Sequence, residues 1–230
     1  MRTTTLTLAA LALFATACAK TDSANAAADS AKPMAGMEGD VDASPNGSGV
    51  PQGYTAMTDK ADADVAGAKY TVTGGNWEVQ TGPAHILYAP ADSASGVYAV
   101  TTTIAQLEKP RHPEAYGIFF GGQHLDDRAA QRYGYFIVRG TGEYLIKVRD
   151  GDKTTSVVNW TASPDVPKED ASGKASYDLK VHFAPDTAHF TVNGKLVAAV
   201  PKKDLPSEGV AGLRINHNLH LTVKPVAVSK

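Results

Sequence analysis

AYGIFFGG (115–122), RYGYFIVRG (132–140) and EYLIKVRDG (143–151) read as three consecutive antiparallel strands, the last two joined by the short turn Gly140-Thr141-Gly142. Aromatic and β-branched residues recur in them with a period of two, the spacing of side chains along one face of a strand. The pattern continues outward on both sides. It recurs at 68–73, 77–80, 85–88 and 97–107, and again at 154–160, 177–183, 188–192, 196–200, 210–215 and 219–228. Asn193-Gly194 is the dipeptide of a type I′ hairpin, because both central residues must take positive φ. Ala184 to Thr187 suits a four-residue hairpin loop. Helical patterning is confined to 58–65 and 126–131, a turn or two each. Many strands at regular spacing with little helix specify an all-β fold, an antiparallel β-sandwich or barrel.

The N-terminus reads as an address. Arg2, the apolar run Leu6 to Phe14 and the small residues Ala15-Thr16-Ala17 before Cys18 make an export leader. Its apolar core is too short to span a bilayer. Ala15-Thr16-Ala17-Cys18 resembles the lipobox of bacterial lipoproteins, with Ala15 where leucine is usual. That resemblance implies cleavage before Cys18 and lipidation of Cys18. It is the only cysteine, so it makes no internal disulfide. Residues 19–50 contain no aromatic side chain and are dominated by Ala, Asp, Ser and Gly. Such a segment buries too little apolar surface to offset its ordering entropy. The expected organisation is a signal peptide at 1–17, a disordered tether at 18–51 and one domain at 52–230. The expected location is the bacterial cell envelope, lipid-anchored and facing the periplasm or the outside. Net charge is −2 and no basic tract interleaves with aromatics, which argues against nucleic acid as a partner.

The order of segments carries a further resemblance. Gly75-Asn76-Trp77 opens an early strand, a Tyr/Val/Thr-rich strand follows at 97–107, and YGIFFGG and YGYFIVRG come next. The hairpin FTVNGKLV and the closing stretch GVAGLRINHNLHLTVKPVAV complete the series. Together they resemble the concanavalin A-like lectin/glucanase superfamily, nearest to bacterial laminin-G-like domains and similar to the 3-keto-disaccharide hydrolase type. The resemblance spans about residues 68–228 and implies a jelly-roll sandwich. It implies no single activity, because the superfamily hosts lectins, hydrolases and adhesion modules.

Strand parity separates two faces. Phe136 and Val138 point one way, and Tyr133, Tyr135, Ile137 and Arg139 the other. Tyr144, Ile146 and Val148 oppose Glu143, Leu145, Lys147 and Arg149, while Leu213 and Ile215 oppose Arg214 and Asn216. The face away from the core thus gathers Tyr135, Arg139, Lys147, Arg149 and Arg214, the candidate ligand-binding set. Tyrosine rings stack on sugar faces and arginine forks bind hydroxyls or carboxylates. Glu143 is the only acid that parity places among these cations.

Other constellations are weaker. Glucanases of the superfamily carry a Glu-x-Asp-x-x-Glu strand, which sets acid and nucleophile on one face. The nearest spacing here, Glu38 to Asp42, lies in the tether. No Gly-x-Ser-x-Gly elbow, phosphate loop or cysteine nucleophile occurs in the domain, so no catalytic residue is assigned. His182 and His189 fall opposite each other across the 184–187 loop, a pair short of a full metal-ligand set. Asp59, Asp62 and Asp64 lack the glycine of a Ca²⁺ loop and are expected to cap or solvate a turn. The loops 108–115 and 122–131 flank YGIFFGG and are placed to rim a groove. His124 and Asp126 in the second are its acid–base candidates. The expected function is non-catalytic binding of a carbohydrate or similar polar ligand, without cofactor. An enzyme of the 3-keto-disaccharide hydrolase type and a purely structural envelope protein are the alternatives.

Overall fold

The computed structural model describes residues 49–230. The leader, Cys18 and nearly all of the tether lie outside the described residues. In chain order the strands are β1 (Thr55–Thr58), β2 (Lys69–Thr73), β3 (Asn76–Gln80), β4 (His85–Tyr88), β5 (Ser93–Ala94), β6 (Tyr98–Gln106), β7 (Ala115–Gln123) and β8 (Arg132–Arg139). They continue as β9 (Glu143–Asp150), β10 (Lys153–Ala162), β11 (Ala175–Phe183), β12 (Thr187–Val192), β13 (Lys195–Pro201), β14 (Gly209–Ile215), β15 (His220–Val223) and β16 (Ala227–Ser229). Two sheets form. A front sheet runs β1-β4-β14-β7-β8-β9-β10, with β5 on β14, and a back sheet runs β13-β12-β11-β6-β15-β3-β2, with β16 on β6. Every strand pairing within them is antiparallel.

Apolar alternation builds the space between the sheets. Ile118, Phe120, Phe136, Val138 and Ile146 project from the front sheet, and Tyr177, Val181, Phe183 and Phe190 from the back. Phe120 meets Phe183 edge-on with ring centroids 5.2 Å apart, and Phe136 meets Phe190 at 5.2 Å. Burial of each such ring contributes about 1.5–3 kcal/mol, so these facing aromatics hold the sheets together. The hairpin turn Asn193-Gly194 has φ of 50° and 77°, as a type I′ turn requires.

Three local expectations are corrected. The segment 219–228 is not one strand: residues 224–226 leave the ladder between β15 and β16, where Pro225 lacks the N–H a ladder needs. The helical patterning at 58–65 and 126–131 yields turns, and a short 3₁₀ turn (Val65–Gly67) starts where Asp64 accepts a hydrogen bond from the Ala66 N–H. Strands β1 and β5 carry no clear alternation over four and two residues, so periodicity passes over them.

Candidate functional site

The outer face of the front sheet is where parity put the candidate set, and it is largely covered. Ile86, Tyr88, Phe119, Tyr133, Tyr135, Ile137 and Leu145 form a second apolar cluster there, with Met57 and Trp160 packed against it. Gly212 lies between Tyr88 and Phe119, whose rings meet edge-on at 6.0 Å. A Cβ on Gly212 would stand 2.5 Å from the Phe119 ring and 2.3 Å from the Leu87 carbonyl oxygen, so only glycine lets these aromatics close. The loop between β7 and β8 folds over this face. Leu125 is buried against the cluster, and Arg128 donates from Nε and Nη2 to the Thr58 carbonyl and hydroxyl at 3.1 and 2.7 Å.

A charged cluster crosses the apolar floor. Arg214 grips Asp59 with a two-pronged fork, Nη1 to Oδ1 at 2.7 Å and Nη2 to Oδ2 at 2.6 Å. Arg149 Nη2 lies 3.6 Å from the same carboxylate. The Arg214 guanidinium also sits over the Tyr135 ring, 5.7 Å from its centroid. Asp59 directly follows β1, whereas Arg149 is on β9, five strands across the sheet. Adjacent strands are about 4.8 Å apart, so on a flat sheet the two would be separated by much more than their side chains span. Their meeting brings an acid from the edge of the sheet over the outer side chains of its central strands.

Electrostatics follow from that geometry. Burial alone would raise the Asp59 carboxyl, but the Arg214 charge and hydrogen bonds, with Arg149 behind them, hold it below the usual carboxylate range. Arg214 is more strongly basic than a free guanidinium, since the Asp59 charge and the hydroxyls of Tyr133 and Tyr135 outweigh its desolvation. Burial pushes the Tyr135 phenol up to about 12. Beneath the sheet His85 is fully buried, bonded to the Tyr70 hydroxyl and the Pro83 carbonyl, and burial pushes it down to about 4.

The structure therefore sorts the candidate residues. Tyr135, Arg149 and Arg214 come together. Tyr135 and Arg214 are buried struts at 7% exposure each, while the Arg149 side chain keeps 12% and Lys147 is half-buried between Tyr135 and Ser156. Arg139 is apart from them, at the opposite end of the β8–β9 hairpin: it pairs in register with Glu143, whereas Arg149 pairs with Tyr133. There Arg139 binds Glu143 at 2.8 Å and lies over the Trp160 ring at 4.1 Å. The expectation that Glu143 is the only acid among these cations is corrected by Asp59, and Asp59 is no turn-solvating residue. Nothing local marks it, since 155 residues separate it from Arg214.

The histidines divide similarly. His182 and His189 pair in register with rings stacked 5.9 Å apart. No group of three or more His, Cys, Asp or Glu able to hold a metal ion occurs among the described residues. His217 meets Glu114 at 3.2 Å, and His220 meets Glu78 at 2.8 Å. His124 takes φ 51°, and its loop contributes Leu125 and Arg128 to the outer face.

No family model matches the chain, and no curated protein matches it. Solved structures do. A carbohydrate-binding module CBM66 from Bacillus subtilis is similar at 13% identity over 77% of this chain and 96% of that one, with a TM-score of 0.54. A Bacillus subtilis protein of unknown function with a galectin-like fold matches at 11% identity over 76% and 88%, TM-score 0.56. The GlcNAcα1-4Gal-releasing endo-β-galactosidase from Clostridium perfringens matches at 11% over 80% and 60%, TM-score 0.50. These likenesses establish the fold as an antiparallel jelly-roll sandwich of the galectin-like, concanavalin A-like kind.

Proposed function

We propose that the domain is a non-catalytic module that binds a glycan on the outer face of the front sheet, on the end of a lipid anchor at Cys18. One observation carries the reading: a carboxylate and two guanidiniums are held together over an aromatic floor, with Arg149 and Asp59 still partly exposed. Sugars present hydroxyls that both donate and accept. A fixed carboxylate beside a fixed guanidinium answers both roles without reorganising, and charge-assisted bonds of this sort contribute about 1.5–3 kcal/mol each when sheltered. Arg139 over Trp160, with Glu143, offers a second donor–acceptor pair further along the same face. The carbohydrate-binding module among the similar structures supports the reading.

The test is a glycan array followed by calorimetry on the hits. Binding that falls at least tenfold in Arg149→Met, with melting temperature kept, supports the site; an array without hits refutes the reading. Incubation with 3-keto-disaccharides checks the absence of catalysis, since release of free sugar would overturn it. Cys18→Ser is expected to move the protein from membrane to soluble fractions, and retention in the membrane would place the anchor elsewhere.

A further inference from the structure

We infer that His182 and His189, on the outer face of the back sheet, together bind one divalent late transition-metal ion, Cu²⁺ or Zn²⁺, with water completing its coordination. The two residues lie directly opposite each other on β11 and β12, their rings nearly parallel (19°) and the ring centres 5.9 Å apart. An ion held at about 2.0–2.1 Å from a ring nitrogen stands roughly 3 Å from that ring's centre. Centres up to about 6 Å apart can therefore share one ion after rotation of the side chains alone. The hairpin fixes the pairing. On one side of the histidines Val181 opposes Phe190, on the other Phe183 opposes Ala188, and all four are buried in the core. A slip of either strand would turn these residues outward, so the two imidazoles are kept in register. Ligands that the fold has already brought together hold an ion better than either does alone.

The surroundings leave the pair open to an ion. Its register neighbours on the flanking strands are Ala99 of β6 and Ala199 of β13, too short to cover the rings or compete for them. Both histidines are half-buried, whereas His85, His217 and His220 are engaged by Tyr70, Glu114 and Glu78. Neutral imidazoles suit copper and zinc, while Ca²⁺ and Mg²⁺ take oxygen ligands. No group of three or more His, Cys, Asp or Glu forms a metal cluster among the described residues, so the remaining positions fall to water. Lys180 shares the face two residues before His182, with Asp178 beyond it, and Asp186 lies in the hairpin loop. Thr101 of β6 and Thr191 of β12 add no charge. Lys180 is thus the nearby group on β11 that repels a dication. The pair stands on the opposite sheet from Asp59 and Arg149, so this inference is independent of glycan binding.

The experiment titrates zinc chloride and, separately, copper chloride into the full chain by calorimetry, beside His182→Gln and His189→Gln. Affinity is expected to fall about tenfold or more in either variant, since each leaves a single imidazole. Lys180→Ala should tighten binding by removing the repulsion. Excess zinc should raise the melting temperature of the unaltered chain and of neither histidine variant, because the ion ties β11 to β12 only in the folded state. Melts without metal should match across all three, as both histidines are half-buried on an outer face. In a zinc titration followed by NMR, the ring resonances of His182 and His189 should shift together. Affinity that survives both replacements would place the ion elsewhere and overturn the inference. So would the absence of heat and of any change in melting temperature at millimolar metal.

Discussion

The outer faces of the two sheets contrast sharply. On the back sheet, β11 and β12 alternate between buried and accessible residues along their length, and Thr103, Asp178, Lys180 and Thr191 stand over an open groove of about 470 Å³. Their bonds are local: the Thr103 hydroxyl donates to Asp178 on the next strand. On the front sheet, β7 and β8 are buried almost end to end. Their outer side chains make a second core, and its charged groups are tied to residues strands away. A one-sided strand leaves its outer groups to water, where they cost and contribute little. A two-sided strand obliges its polar groups to find partners inside the protein. Ordered, desolvated donors and acceptors therefore collect on the front face, and that is where recognition is expected.

This contrast is open to attack by mutation. If the front face is a true second core, Phe119→Ala on it should cost as much as Phe136→Ala between the sheets, about 3–5 kcal/mol in urea melts, since both rings are fully buried. A much smaller loss at Phe119 would reduce that face to a covered surface. Arg214→Ala should cost about 2–4 kcal/mol, because it strands the Asp59 carboxylate in a sheltered site. Acid should act through His85, whose buried ring is held neutral down to about 4. The unfolded chain takes up that proton near 6.5 and the folded chain does not, so stability should fall by about 3 kcal/mol between pH 6.5 and 4. Asp59 extends the fall below pH 4, as its depressed carboxyl is finally protonated. His85→Gln should flatten the upper part of the curve in thermal melts across that range. Arg139→Ala should cost about 1 kcal/mol, its pair with Glu143 being roughly a fifth exposed. Lys180→Ala on the back face should stay within about 0.5 kcal/mol.

Much of the architecture was legible in the chain. Strand existence, the Asn193-Gly194 turn and the two parities of β8, β9 and β14 follow from period-two spacing. Parity, however, says which residues share a face and not whether that face meets water. The signal for the second core was present in YGIFFGG and YGYFIVRG, nearly continuous apolar runs where a one-sided strand would show polar breaks. The acid at the centre of the site was not readable. Asp59 directly follows a four-residue strand with no pattern of its own, and only the tertiary fold brings it to Arg149 and Arg214. Arg128 was hidden for the same reason, lying 70 residues from the threonine it binds.

The most direct test of the front-face site is an amide chemical-shift titration with the oligosaccharide that binds best on the glycan array. Shifts should concentrate at Asp59, Lys147, Arg149 and Trp160 and saturate together. Shifts confined to Thr101, Thr103, Asp178 and Thr191 would move recognition to the back sheet and contradict the account.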